Sequence, residues 1–256
     1  MNLTALSSNE LFGILQIEQY YPDLLAGFSM MMELYLCGLL IGLGLGLVLA
    51  IGRHYGGPVT SRIAAGYIEF MRGTPLVVQI LIIAILPSAL NIWLQSQGLT
   101  PLNIRWQIVF PDIYGIERVI LDTRILLCIL TLGLNSAAYQ AEFFRGALSS
   151  MSSGQTLAAQ SIGMTKRQEI RHIALPQSLR RAIPAWSNEA VYLPKYTTIA
   201  YFVGVAEFFS MATLVVARTY QALLVYALEA IIFLVLISFI SWLLNFIYQR
   251  IKIPGI

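Results

Sequence analysis

The sequence predicts an all-α membrane protein, a polytopic helical bundle of about five transmembrane helices. Composition and pattern both point there. Hydrophobic residues make up 57% of the 256 residues and charged residues only 11%, against roughly 45–50% and 25% in soluble domains. Charges that sparse cannot cover a surface facing water. The mean hydropathy is +0.72, and the apolar residues gather into runs that can cross about 30 Å of hydrocarbon. The balance of 16 Lys and Arg against 13 Asp and Glu leaves a net charge of only +3, without the dense basic stripe of a nucleic-acid binder.

Residues 34–52 carry no charge between Glu33 and Arg53 and form the first span, with 24–32 expected at the outer interface. Within it Gly38, Gly42 and Gly46 recur every fourth residue, which puts three positions without side chains on one helix face for close approach of another helix. The second span falls within 63–94, where Arg72-Gly73-Thr74-Pro75 marks a break. Residues 125–144, uncharged apart from Glu142, form the third. The fourth is expected at 183–205 despite Glu189 and Lys195, and the fifth at 226–247, carrying only Glu229. The first basic residue is Arg53, so no positive stretch precedes an apolar run and the first span is expected to be its own insertion signal.

Orientation follows from Lys and Arg, which are retained on the cytoplasmic side. Arg53 and Arg62 follow the first span, Arg145, Lys166, Arg167, Arg171, Arg180 and Arg181 follow the third, and Arg250 and Lys252 follow the fifth. An odd number of spans puts all three groups on one side. Glu10, Glu18, Asp23 and a mixed-charge loop containing Arg105 and Asp112 fall on the other. The amino terminus is expected outside and the carboxyl terminus in the cytoplasm. Cys37 and Cys128 sit singly in apolar runs, which argues against a disulfide framework. His54 and His172 lack neighbours with ligand spacing, so no metal site is expected.

The stretch 145–182 is too long for a turn and too polar for a span. Residues 154–163 read as a short amphipathic helix with Leu157, Ala158, Ser161 and Ile162 on its apolar stripe. Gly163 should stop it, and a second helix rich in Lys and Arg should restart at Met164-Thr165-Lys166 and break at Pro176.

Gly154-Gln155-Thr156-Leu157-Ala158-Ala159-Gln160-Ser161-Ile162-Gly163, followed after nine residues by Ile173-Ala174-Leu175-Pro176, resembles the EAA loop of ABC-importer permeases, the cytoplasmic signature that docks on the ATPase subunit. The run from Tyr67 to Gln79 and that from Leu134 to Gly146 resemble two signatures of the polar amino acid subfamily. The resemblance, which extends over about 34–247, implies a type I importer permease: one transmembrane domain over 1–256 with a coupling loop at 154–176 inside it. It implies that Gly154, Gln155, Leu157, Ala158, Ala159, Gly163, Ile173, Leu175 and Pro176 contact the ATPase. Two departures stand out: Leu157 replaces the usual Glu before the paired alanines, and Lys195-Tyr196-Thr197-Thr198 replaces the usual Lys-Asp-Thr-Ser. The external segment 87–122 looks longer than the family norm, as a receptor-contacting loop or an inert insertion.

Polar residues inside a bilayer should face a cavity or one another. Asn135, Tyr139 and Glu142 share one face of the third span, with Ser136 and Gln140 flanking it. Glu142 and Asn135 could accept a solute ammonium and Arg72 and Thr74 could meet its carboxylate, with Asn188 ranked behind them. For each of these residues, helix-to-helix hydrogen bonding is the alternative, with Glu142 pairing Arg145 or Arg72. No residue is assigned catalysis. The chain has no G-x-x-x-x-G-K-[ST] phosphate loop, so no cofactor is expected on it: ATP and magnesium belong to partner ATPase subunits. A second permease subunit, the same chain or a paralogue, and an external solute-binding protein complete the expected assembly in the bacterial inner membrane. An ion-coupled secondary transporter and a non-transporting scaffold are the rival readings, and neither gives the coupling loop a purpose in moving solute.

Overall fold

A computed structural model describes residues 17–102, 106–111, 117–151 and 153–252. Glu10, Arg105 and Asp112, on which part of the charge argument rests, lie outside them.

Helix α1 (Tyr21–Tyr55) is continuous. Residues 24–32 therefore run into the first span within one helix, because Glu33 is a helix former and nothing near it breaks the backbone. At 1.5 Å per residue the helix is about 50 Å long, so it projects beyond the hydrocarbon. Helix α2 (Pro58–Gly73) is amphipathic and opens on proline, whose missing N–H is harmless in a first turn. It ends as expected at Gly73-Thr74-Pro75, where Thr74 is extended with φ −113° and ψ 142°, since the residue before proline is pushed out of the helical region. Helix α3 (Leu76–Ser96) then crosses alone with Pro87 inside it.

Next comes a hairpin, the one sheet among the described residues: β1 (Gln107–Pro111) pairs antiparallel with β2 (Glu117–Asp122), with a register shift between Ile108 and Val109. Helix α4 (Thr123–Ser149) is the third span, and α5 (Ser153–Ser161) is the short polar helix beyond it. Helix α6 (Lys166–Glu169) starts on a capping box, with the Thr165 side chain on Gln168 N–H and the Gln168 side chain returning to Thr165 N–H. Contrary to expectation, Pro176 does not break the chain's helical course. A π turn (Ile170–Ala174), closed by Leu175 N–H on the Ile170 carbonyl, leads directly into α7 (Leu175–Tyr196), and Pro176 is accommodated immediately after that turn.

The expected fourth span is broken. A tight 3₁₀ turn (Thr197–Val203) ends at Gly204 with φ 77°, and α8 (Phe208–Thr219) continues at 57° to the preceding helix. Helix α9 (Ala222–Ile251) closes the described chain. Among the described residues four helices, α1, α3, α4 and α9, are long and apolar enough to span, or five if the bent pair is one span.

The chain divides into two compact units. One holds the described parts of Met1–Leu36, Val77–Thr131 and Pro194–Leu236, the other those of Cys37–Leu76, Leu132–Leu193 and Ile237–Ile256. In the first, Ile17, Ala212, Val215 and Val225 form a core, and the Phe208 ring meets Phe28 edge to face at 5.7 Å. In the second, Ala50, Phe144, Leu148, Ala174 and Ala182 pack in one cluster, and Ile68, Ala138 and Ala141 in another. The apolar window of α4 is 67% buried where those of α3 and α9 are 11% buried. Helix α4 is thus the packed axis of its surroundings, and α3 and α9 present their apolar sides outward, as lipid-facing helices do.

Candidate functional site

Two polar constellations lie in the second unit, one along α4 and one in the loop from α5 to the π turn.

Helix α4 divides its polar residues between two faces. On one, Ser136 Oγ donates to Glu189 Oε1 at 2.6 Å, Gln140 Nε2 donates to Ser136 Oγ at 3.0 Å and to the Leu39 carbonyl at 3.2 Å, and Trp186 Nε1 donates to Gln140 Oε1 at 2.6 Å. Gln140, Ser136 and Glu189 are all buried, so these bonds meet the demand of burying polar groups. The glycines of α1 make the room. A Cβ at Gly46 would lie 2.9 Å from Gln140 Cβ and 3.0 Å from the Ala137 carbonyl, one at Gly38 would lie 3.3 Å from Leu132 Cβ, and one at Gly42 would overlap the Gln140 amide.

The other face carries the expected Asn135, Tyr139 and Glu142 toward α2 and the end of α1. Asn135 Nδ2 donates to the Met71 carbonyl at 3.0 Å, Tyr67 Oη donates to the Leu134 carbonyl at 2.8 Å, and the Arg72 guanidinium stands 5.1 Å over the Tyr139 ring. Glu142 is paired with Arg53, and it accepts from Arg145 Nη2 at 2.9 Å. The anticipated Arg145 partner is present, and Arg53 joins it. Thr74 Oγ1 donates to the Phe70 carbonyl at 2.9 Å. Asn188 is exposed, while its neighbour Glu189 turns into the network, one residue and about 100° around the helix. Sequence reading missed Trp186 and Arg53. The four-residue glycine spacing was the available signal for where α4 packs, but it does not say that an indole would complete the Gln140 amide.

In the loop, Gly163 has φ 77° with nothing within 4 Å of a Cβ placed there. Around it the Gly163 and Met164 N–H groups return to Gln160 and Ala159 at 2.9 and 3.1 Å. The buried Glu169 carboxylate accepts from Thr156 Oγ1 at 3.1 Å and from Lys166 Nζ at 2.9 Å, which ties α5 to α6. Lys166 Nζ also sits 4.8 Å over the Tyr55 ring. Of the expected docking residues, Ala159 is buried, and Gln155, Ile173 and Leu175 are half-buried. Gly154, Ala158, Gly163 and Pro176 are exposed. Leu157 is 61% and Ile162 74% exposed, so the loop turns two large apolar side chains away from its own chain.

The family described as Binding-protein-dependent transport system inner membrane component matches residues 42–253. The glutamine transport system permease protein GlnP of Escherichia coli (strain K12) is 30% identical over 236 residues, covering 91% of this chain and 94% of that one. The L-cystine transport system permease protein TcyL of Bacillus subtilis (strain 168) is 30% identical, covering 94% and 92%. Among solved structures, a chain of an amino acid ABC transporter crystallised with histidines superposes with a TM-score of 0.71 at 27% identity, covering 93% of this chain and 98% of that one.

Proposed function

Because the chain belongs to the family of binding-protein-dependent transport system inner membrane components, we propose that it is the permease subunit of an ABC importer. It moves a polar or charged amino acid across the inner membrane, driven by ATP hydrolysis in a partner subunit. The observation that carries this reading is the loop over 154–176: a folded, capped helix–turn–helix that presents Leu157 and Ile162 to solvent. Exposed apolar side chains on a rigid polar loop suit a partner's groove. The relatives' names supply the solute class, glutamine in one and L-cystine in another.

In this reading 1–256 is one permease domain, with residues 53–62, 145–182 and 248–256 cytoplasmic and the amino terminus outside; 253–256 lie outside the described residues. ATP and magnesium are bound by the ATPase subunits, and this chain holds no cofactor. An external binding protein delivers the solute. A second permease subunit, related by a two-fold axis, completes the pathway, since a single bundle of about five helices without an internal repeat supplies half of one.

The contacts supply a route for coupling. Displacement of α5 by the ATPase is carried to α6 by Glu169, and from α6 through the π turn into α7. Trp186 and Glu189 of α7 hold Gln140 and Ser136 of α4. The opposite face of α4, with Asn135, Tyr139 and Glu142, is the proposed solute pathway; Arg72 and Thr74 rank second in it and Asn188 third, while Ser136, expected beside them, lies on the network face. Arg72, raised over Tyr139, is suited to a solute carboxylate. The test is co-purification of a nucleotide-hydrolysing subunit whose activity rises with binding protein and amino acid together. An ion-coupled transporter or a scaffold would show no such stimulation.

A further inference from the structure

A cavity of about 880 Å³ lies in the first unit between α3, the loop after it, and the start of α4. It shares no residue with the groups described above. Helix α3 lines it with Ala84, Pro87, Ser88 and Asn91, the i, i+3, i+4 and i+7 positions of one face.

Its walls are held by specific bonds. Asn91 pairs with the Leu102 backbone as a strand would, Nδ2 on the carbonyl at 3.0 Å and Oδ1 under the N–H at 2.8 Å. Asp122 Oδ1 accepts Ile125 N–H at 2.8 Å at the start of α4, and its Oδ2 accepts Arg124 Nε and Nη2 at 3.2 and 3.1 Å. Arg124 Nη1 reaches the Gly204 carbonyl at 3.4 Å. These bonds use three of the five guanidinium N–H groups, and the Arg124 side chain remains 61% exposed.

The charges on the lining indicate the kind of occupant. Among the described lining residues the charged groups are Asp122 and Arg124, which cancel. A zwitterion matches that balance. Leu102 and Leu127 offer apolar surface for an aliphatic stem.

We propose that this cavity is a binding site for a free amino acid. The solute carboxylate takes the remaining Arg124 donors and its ammonium turns to Asp122, so that the site receives solute at the outer side before it enters the pathway. The proposal rests on the reading that this chain moves amino acids.

The test uses the assembled complex with its ATPase partner in lipid nanodiscs, without the external binding protein. Cys37 and Cys128 are replaced by alanine, and Gln107→Cys, at the cavity wall, reports accessibility through its reaction rate with an impermeant thiol reagent. The probes are L-glutamine, L-arginine, L-glutamate and phosphatidylglycerol vesicles. An amino acid at about ten times its dissociation constant should slow the reaction about tenfold, because only the empty fraction reacts. Adding Arg124→Gln, which removes the donors offered to the solute carboxylate, should remove that protection. Trp106→Cys serves as a second reporter in case the first variant does not assemble. Protection by no amino acid, protection by lipid alone, or protection that survives Arg124→Gln overturns the proposal. Protection without transport of any amino acid would overturn the functional reading instead and leave this site standing.

Discussion

Ser136 on α4 donates its hydroxyl to Glu189 on α7 at 2.6 Å, with both side chains buried. The bond is one link of a chain from Trp186 through Gln140 and Ser136 to Glu189, and every link joins a side chain of α4 to another side chain. A carboxylate at this depth is tolerated because it is hydrogen-bonded, and the arrangement fixes the register of α4 against α7.

Gln140 is the hub of that chain. Gln140→Leu should leave the Trp186 indole N–H, the Leu39 carbonyl and the Ser136 hydroxyl short of a partner, at about 1–3 kcal/mol for each buried group left unsatisfied. Thermal unfolding of the purified complex should show a clearly lowered melting temperature. An unchanged melting temperature would mean that the network contributes nothing to packing.

Glycine spacing gives a paired prediction on α1. Gly46→Ala should destabilise by about 1–3 kcal/mol through overpacking, because its Cβ would meet the Ala137 carbonyl at 3.0 Å and the Ala141 nitrogen at 3.1 Å. Gly44→Ala has nothing within 4 Å and should be neutral or stabilising by up to about 1 kcal/mol. Equal melting temperatures for the two variants would refute the close approach.

How much of this was legible in the sequence depended on whether the signal was local. The break at Arg72-Gly73-Thr74-Pro75 was readable because proline constrains its own neighbour. The stop at Gly163 was readable because positive φ favours glycine. Pro176 misled, since a π turn immediately upstream, after which the helix carries on through the proline, cannot be inferred from residue type. The bend at Gly204 was hidden inside an apolar run whose hydropathy reads as a straight span. Asn188 and Glu189 are adjacent and equally polar, and only the position of Ser136 decides which one turns inward. The strands β1 and β2 had no alternation strong enough to set them apart from loop.

In the coupling loop, the strain at position 163 would be conformational, not steric. Gly163→Val should cost roughly 1–2 kcal/mol or more for the left-handed backbone and should reduce solute-stimulated ATP hydrolysis while the permease still inserts. Gly163→Asn, which tolerates that conformation better, should retain more of it. Identical stimulation in Val, Asn and wild-type complexes would remove the turn from the coupling path.

Glu142 faces two guanidinium groups, Arg53 and Arg145, and a neutral amide cannot balance them. Glu142→Gln should lower solute uptake more than it lowers basal ATP hydrolysis, measured in the same vesicles. A parallel fall in both would assign Glu142 to the ion pairs alone and take it out of the pathway.

The central claim is tested most directly by reconstituting the chain with its ATPase partner and external binding protein in vesicles and following labelled amino acid uptake. The account predicts uptake that requires ATP and the binding protein and is lost when the ATPase is inactivated. Uptake of no amino acid, or uptake driven by an ion gradient without ATP, would contradict it.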